Sequence, residues 1–219
     1  MTELPFRDRE DAAQRLAARL DRYRGRHPVV LAIPRGAVPM GRIVADALDG
    51  ELDVVLVRKL GAPGHSELAI GAVDEAGTVE LNAVAKALGV DDAYVRREAE
   101  RQLALIRERR QRYRGGGPGL ALGGRIVIVL DDGLATGATM IAALRSVRAQ
   151  QPQWLVCAVP VAAESSLEDV QLVADEVVCL ATPAPFHAVS LYYGRFPDVG
   201  EESVAIVLAG RWPGARQAG

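Results

Sequence analysis

The sequence has no apolar stretch approaching the roughly 18 uninterrupted residues that a helix needs to cross a bilayer. Its opening residues, Met1-Thr2-Glu3-Leu4-Pro5-Phe6-Arg7-Asp8, contain no apolar core of a secretory leader, so a cytoplasmic protein is expected. Cysteine is scarce. Cys157 and Cys179 each sit inside an apolar run and are expected as buried free thiols, not as a disulfide or a metal pair. Neither sign of charge dominates: the formal net charge of -2 leaves no global basic field for nucleic acid and no acidic excess of the kind that keeps chains disordered. Internal repeats and low-complexity segments are also missing. What remains is a chain of 219 residues, 49% hydrophobic and 25% charged, ample for one domain around a single core.

The residues that are present alternate between two periods. Ala12, Leu16, Leu20 and Tyr23 recur at helical spacing within Asp8 to Arg24, and Gly25 closes that helix. Val29 to Ile33 reads as a short strand, Pro34 to Ala37 as a turn, and Val38 to Leu48 as a helix. Val54 to Val57 is the next strand and stops at Arg58-Lys59. A strand, helix, strand unit of this kind predicts parallel neighbours. Gly61, Pro63, Gly64, Gly71 and Gly77 then break the pattern from Leu60 to Leu81, which reads as a long loop with a hairpin in it, and long loops in compact domains are often lids. Asn82 is positioned to cap Ala83 to Leu88. Asp91 or Asp92 is positioned to cap a longer helix reaching about Arg114, with Val95, Ala99, Leu103, Ile106 and Tyr113 on one stripe.

The second half repeats the alternation. Trp154 to Val161 and Glu176 to Leu180 read as strands, Ala163 to Leu172 and Glu201 to Leu208 as helices. The fold class expected is α/β, an open, mostly parallel twisted sheet with helices on both faces. It is read as a single domain over residues 1–219, with a flexible lid at 60–81, a helical insertion at 82–117 and a C-terminal hood at 181–210.

The most informative stretch is Val127-Ile128-Val129-Leu130-Asp131-Asp132-Gly133-Leu134-Ala135-Thr136-Gly137-Ala138-Thr139. Four aliphatic residues fit a strand buried on both faces, as parallel strands are. A helix follows from Met140. Between the two, Gly133, Gly137 and the hydroxyls of Thr136 and Thr139 leave backbone N–H groups free at a helix N-terminus, where the macrodipole favours an anion such as a phosphate monoester. Two carboxylates just ahead of that anion site suit a pair of vicinal hydroxyls. A phosphate and a diol one sugar apart describe a ribose 5-phosphate. Three more candidate elements also fall at strand ends, where ligands collect in open parallel sheets: Pro34 to Ala37, Arg58-Lys59, and the aromatic tail after Leu180.

The Val127 to Thr139 stretch resembles the signature of type I phosphoribosyltransferases, the loop that binds 5-phosphoribosyl 1-pyrophosphate (PRPP). The order of elements from about Val29 to Leu208 is similar to that family as well. The resemblance implies that Asp131 and Asp132 hold the ribose 2- and 3-hydroxyls and that Ala135, Thr136, Gly137, Ala138 and Thr139 wrap the 5-phosphate beside Gly133. It implies that Arg35 and Gly36 form a pyrophosphate loop, which in the family often carries a strained or cis peptide, and that Arg58 and Lys59 complete the cations around the leaving group. Catalytic roles then fall to Asp131, Asp132, Arg35 and Lys59. Magnesium is implied as a cofactor carried by PRPP and not held directly by the protein. The activity implied is a glycosyl transfer of 5-phosphoribosyl to a nitrogen acceptor, probed by Phe186, Tyr192 and Tyr193 of the hood, which could instead pack the irregular tail.

The same residues narrow the acceptor. Where 6-oxopurine enzymes have an acidic residue before the Thr-Gly pair, this chain has Ala135, which looks more like the adenine or orotate branches. Orotate enzymes resemble one another in a basic lid, and Gly61 to Glu67 is poor in Lys and Arg. Two alternatives stay open: a PRPP-sensing regulator without transferase activity, and a PRPP hydrolase. The arginines of Arg96 to Arg114 alternate with Glu98, Glu100 and Glu108, which points to a solvated face or a contact in a homodimer, not to nucleic acid.

Overall fold

The computed structural model describes residues 3–210. In chain order the regular elements are α1 (Arg9–Arg19), β1 (Val29–Ala32), α2 (Ala37–Ala47), β2 (Glu51–Val54), β3 (Val57–Ala62), β4 (His65–Asp74), β5 (Val79–Leu81), α3 (Ala83–Ala87), α4 (Asp92–Arg114), β6 (Ile126–Leu130), α5 (Ala138–Arg148), β7 (Trp154–Val161), α6 (Glu164–Gln171), β8 (Glu176–Ala181) and α7 (Glu201–Leu208). Contacts gather these into two units: residues 3–55 with 118–210, and Leu56–Gly117.

The first unit is built on a five-stranded sheet in the order β2-β1-β6-β7-β8, parallel throughout. The central strand is β6, and Val127, Ile128, Val129 and Leu130 are fully buried. Each such side chain contributes about 1.5–3 kcal/mol on burial, and only a strand covered on both faces can bury all of them. The path of the chain supplies that cover. From β1 the chain moves outward to β2 in one direction, and from β6 it moves outward to β7 and β8 in the other. Because parallel crossovers are right-handed, α2 and α5 fall on opposite faces. α1 packs on α2 and on the β7 and β8 side of the sheet, while α5 packs on β6 and β7. Reversal of direction between β1 and β6 makes their carboxyl ends the switch point, where a crevice opens.

The second unit is an antiparallel sheet, β3-β4-β5, with α4 packed on β3 and β4. Asn82 caps α3 by accepting from the amides of Val84 and Ala85, and Asp91 caps α4 by accepting from Ala93. α4 ends at Gly115, whose φ of 59° is the left-handed conformation of a helix C-cap. A buried polar chain ties α4 to β3: Arg58 Nε donates to Gln102 Oε1 at 2.8 Å, and Gln102 Nε2 donates to Glu98 Oε1 at 2.8 Å. Burial alone would raise Glu98, but the hydrogen bonds from Arg101 and Gln102 with the charge of Arg101 hold it below its ordinary value.

Two expectations change here. The apolar run Val54 to Val57 is not one strand: β2 ends at Val54 and β3 begins at Val57, so Arg58 and Lys59 lie inside an antiparallel strand of the second unit. A continuous apolar run cannot distinguish one strand from two meeting end to end, and Val55 and Leu56 between them are also buried. Residues 60–81 form regular sheet rather than a long loop. Gly71, read as a breaker, lies in β4 where a Cβ would collide with the Glu80 carbonyl and sit 3.0 Å from Leu81 Cα. Glycine at that position permits close approach of β5.

Candidate functional site

Ala32 of β1 pairs with Leu130 of β6, so the loops that follow leave the sheet at one level. After β1, the Pro34–Arg35 peptide is cis and Gly36 caps α2 in helical conformation, φ -56° and ψ -35°. After β6 come Asp131 and Asp132. Leu134 is pinned to the next crossover by its N–H to Val161 O at 2.9 Å and by its carbonyl, which accepts from Ala163 N at 3.0 Å. Gly137, at φ 71°, caps α5, and Ser166 Oγ donates to Ala135 O at 2.7 Å. Thr136 and Thr139 are exposed. The loop is thus held from below, and its hydroxyls face outward at the start of an 11-residue helix, the arrangement that binds anions.

The two carboxylates are each half committed. Asp131 Oδ1 accepts from the Asp132 amide at 2.9 Å. Asp132 Oδ2 accepts from Arg9 Nε at 3.0 Å and Arg9 Nη2 at 2.8 Å. Oδ2 of Asp131 and Oδ1 of Asp132 accept no hydrogen bond from another of the described residues. A carboxylate oxygen left open in this way can accept from a hydroxyl donor. Burial and then the charge of Asp132 push Asp131 well above the usual carboxylate range, against the Asp132 amide and Arg9. Burial also raises Asp132, opposed by the hydrogen bonds and charge of Arg9.

Arg9 is the residue that sequence reading missed. It stands at the first position of α1, after the Asp8 cap, and its third donor, Nη1, reaches Pro197 O at 2.6 Å. Its guanidinium carbon lies 3.6 Å from the Phe196 ring centroid, a stacking contact. Phe196 in turn packs on Tyr193 at 4.8 Å, and Tyr193 on Phe6 at 5.5 Å. The segment before α1 is laced to the hood: Phe6 N donates to Tyr192 O at 2.8 Å, and Gly194 N donates to Phe6 O at 2.7 Å.

The structure sorts the other expected residues. Arg35 is exposed beside Gly36. Gly133 lies against the hood, its Cα facing Val189 and Val161 so closely that a Cβ would meet all three of their nearest methyl carbons at 3.0 Å or less. Tyr193 is buried, with both ring neighbours in place, and its hydroxyl donates to Asp132 O at 2.6 Å. Phe186 and Tyr192 are half-buried and pack on each other, with centroids 5.1 Å apart. Arg58 and Lys59 belong to the second unit, where Lys59 Nζ pairs with Glu67 at 2.7 Å on an exposed surface.

The parallel sheet with its switch point between β1 and β6, the adjacent carboxylates Asp131 and Asp132, and the exposed loop opening α5 define the phosphoribosyltransferase class of fold. The model of the phosphoribosyl transferase domain family matches residues 6–193, and the chain belongs to that family, in its type I form. The crystal structure of TT1426 from Thermus thermophilus superposes with a TM-score of 0.85 at 45% identity, covering 94% of this chain and 99% of that one. A protein of Mycobacterium tuberculosis strain H37Rv, provisionally named phosphoribosyl transferase Rv0571c, is 42% identical over 204 residues. That alignment covers 93% of this chain and 46% of that protein, so the chain spans about half the length of the curated relatives it matches. Among the described residues no helix is long and apolar enough to cross a membrane.

Proposed function

We propose that this domain binds PRPP and transfers its 5-phosphoribosyl group to a nitrogen acceptor, a nucleobase-like heterocycle, with release of pyrophosphate. The observation that carries the reading is the pair of free oxygens, Asp131 Oδ2 and Asp132 Oδ1, immediately ahead of the exposed Thr136 to Thr139 loop at the N-terminus of α5. A phosphate monoester on the loop puts the sugar's two vicinal hydroxyls within reach of the carboxylates.

In this mechanism the bond from the anomeric carbon to pyrophosphate breaks as the bond to the acceptor nitrogen forms, through an oxocarbenium-like state. The carboxylates accept from the 2- and 3-hydroxyls and place negative charge under a sugar that is becoming positive. The loop N–H groups and the Thr136 and Thr139 hydroxyls hold the 5-phosphate, so the anomeric carbon is fixed at both ends. Arg35 and the backbone at Gly36 receive the departing pyrophosphate. Magnesium would enter as an ion brought by the substrate, since magnesium in such sites is bound largely through substrate phosphates and water. When bound it neutralises charge on the leaving group. Phe186 and Tyr192 flank the acceptor, while Tyr193, with both ring neighbours in place, supports Asp132.

The test measures pyrophosphate released from PRPP and magnesium, with and without a panel of heterocyclic bases. Acceptor-dependent release supports the transferase. Acceptor-independent release would make the protein a PRPP hydrolase, and binding of PRPP without any release would make it a sensor. Asp131→Asn with Asp132→Asn should abolish PRPP binding and leave the circular dichroism spectrum unchanged; retained affinity would refute the site.

A further inference from the structure

The Arg9 contacts do more than neutralise a charge. Both nitrogens of one edge of the guanidinium point at a single oxygen, Asp132 Oδ2, while the other carboxylate oxygen is left for a ligand. Arg9 itself has little freedom. Its side chain is 12% exposed and that of Asp132 is 18% exposed, its third nitrogen donates to Pro197 O, and one face of the guanidinium rests on Phe196. Asp8, the cap of the same helix, is held from the other side by Arg195 Nη2 at 2.7 Å, which fixes the helix start from which Arg9 projects. The far side of Asp132 is closed by Gly36 and its backbone carbonyl is taken by Tyr193.

We infer that Arg9 is a positioning residue for recognition of the sugar diol: by occupying Asp132 Oδ2 it fixes the carboxylate plane so that Oδ1 faces the ribose hydroxyl. This rests on the proposed ribose site and names the part of the chain that sets its selectivity. A planar, five-donor fork can hold one carboxylate oxygen with two N–H bonds while keeping a third for the hood. The hydroxyl donor of a ribose then meets a carboxylate that has one orientation and one free acceptor. Without Arg9, the carboxylate turns about its two torsions and satisfies itself with water, so a sugar lacking a hydroxyl is no longer disfavoured relative to one that has it. The same contacts tie selectivity to the hood, because Pro197 and Phe196 are the groups that keep Arg9 in place.

The experiment compares ribose 5-phosphate with 2-deoxyribose 5-phosphate, each measured as a competitor of PRPP binding, in the wild type, Arg9→Gln and Arg9→Lys. In the wild type the ribose compound should compete better. In Arg9→Gln that preference should fall about tenfold or more, the range expected for a charge-assisted contact, mainly by weaker binding of the ribose compound. Arg9→Lys, which restores the charge on a shorter reach, should recover part of it. Equal weakening of both sugars in Arg9→Gln would reduce Arg9 to a structural role and overturn the inference, as would an unchanged preference. If the wild type itself does not prefer ribose, the diol site fails and the inference with it; a preference kept in Arg9→Gln refutes the inference alone. Thermal unfolding of each variant reports whether it is folded, and Phe196→Leu, which removes only the stacking face, should reduce the preference in a chain whose Arg9 is intact.

Discussion

Gly36→Ala isolates the geometry of the site from the conformation of the backbone. Gly36 is already helical, with φ -56° and ψ -35°, so alanine adopts it freely and, at the start of α2, should stabilise the helix by up to about 1 kcal/mol through the unfolded chain. The new methyl has nowhere to go. It would lie well inside van der Waals contact with Asp132 Oδ2 and 2.9 Å from Arg9 Nη2, where carbon contacts settle near about 3.5 Å. The carboxylate must therefore shift by on the order of 1 Å, a misplacement that typically weakens function about a hundredfold. Isothermal titration with PRPP and magnesium should show that loss, while the melting temperature stays the same or changes by a few degrees at most. Unchanged PRPP affinity in a folded variant would refute the claim that Asp132, as positioned here, holds the sugar.

Other perturbations separate loop, hood and carboxylate. Asp131 has a folded-state pKa raised above its ordinary 3.8 by burial and by Asp132, so the native state disfavours its charged form. That destabilisation is absent below the ordinary value, where the carboxyl is protonated folded and unfolded, and grows as pH rises through the folded value. Asp131→Asn should thus raise the melting temperature at neutral pH, with the gain vanishing toward pH 3.8; a gain independent of pH would contradict the burial argument. Ser166→Ala removes the hydroxyl that holds Ala135 O at 2.7 Å, and a loss of about 1 kcal/mol should appear as roughly fivefold weaker PRPP binding, measured by titration. Tyr193→Phe deletes the donor to Asp132 O; about 1 kcal/mol here lowers the melting temperature by about 2–4 °C, and calorimetry showing no change would mean that water replaces the hydroxyl.

How far the chain could be read before its structure depended on how local each signal is. The Val127 to Thr139 stretch is legible because burial, carboxylates and anion loop follow one another within a single strand, turn and helix start. The caps Asn82 and Asp91 are legible for the same reason, since each acts on amides two or three residues away. Arg9 is separated from Asp132 by 123 positions, and nothing about an arginine after an aspartate cap marks it as facing a site. Arg58 and Lys59 misled in position because the apolar residues before them continue unbroken across a boundary between two sheets. The glycines of 60–81 misled because glycine signals both a chain that must turn and a chain that another must approach closely.

The chain between β2 and β6 is pinned at both its ends within the first unit. Asp53, at the end of β2, accepts the Leu120 amide through Oδ2 at 3.0 Å, so the place where the chain leaves the five-stranded sheet and the place where it returns are stitched together within that sheet's own unit. β6 takes its register from β1 and β7, so the strand that leads into Asp131 and Asp132 is paired on both sides without any residue of Leu56–Gly117.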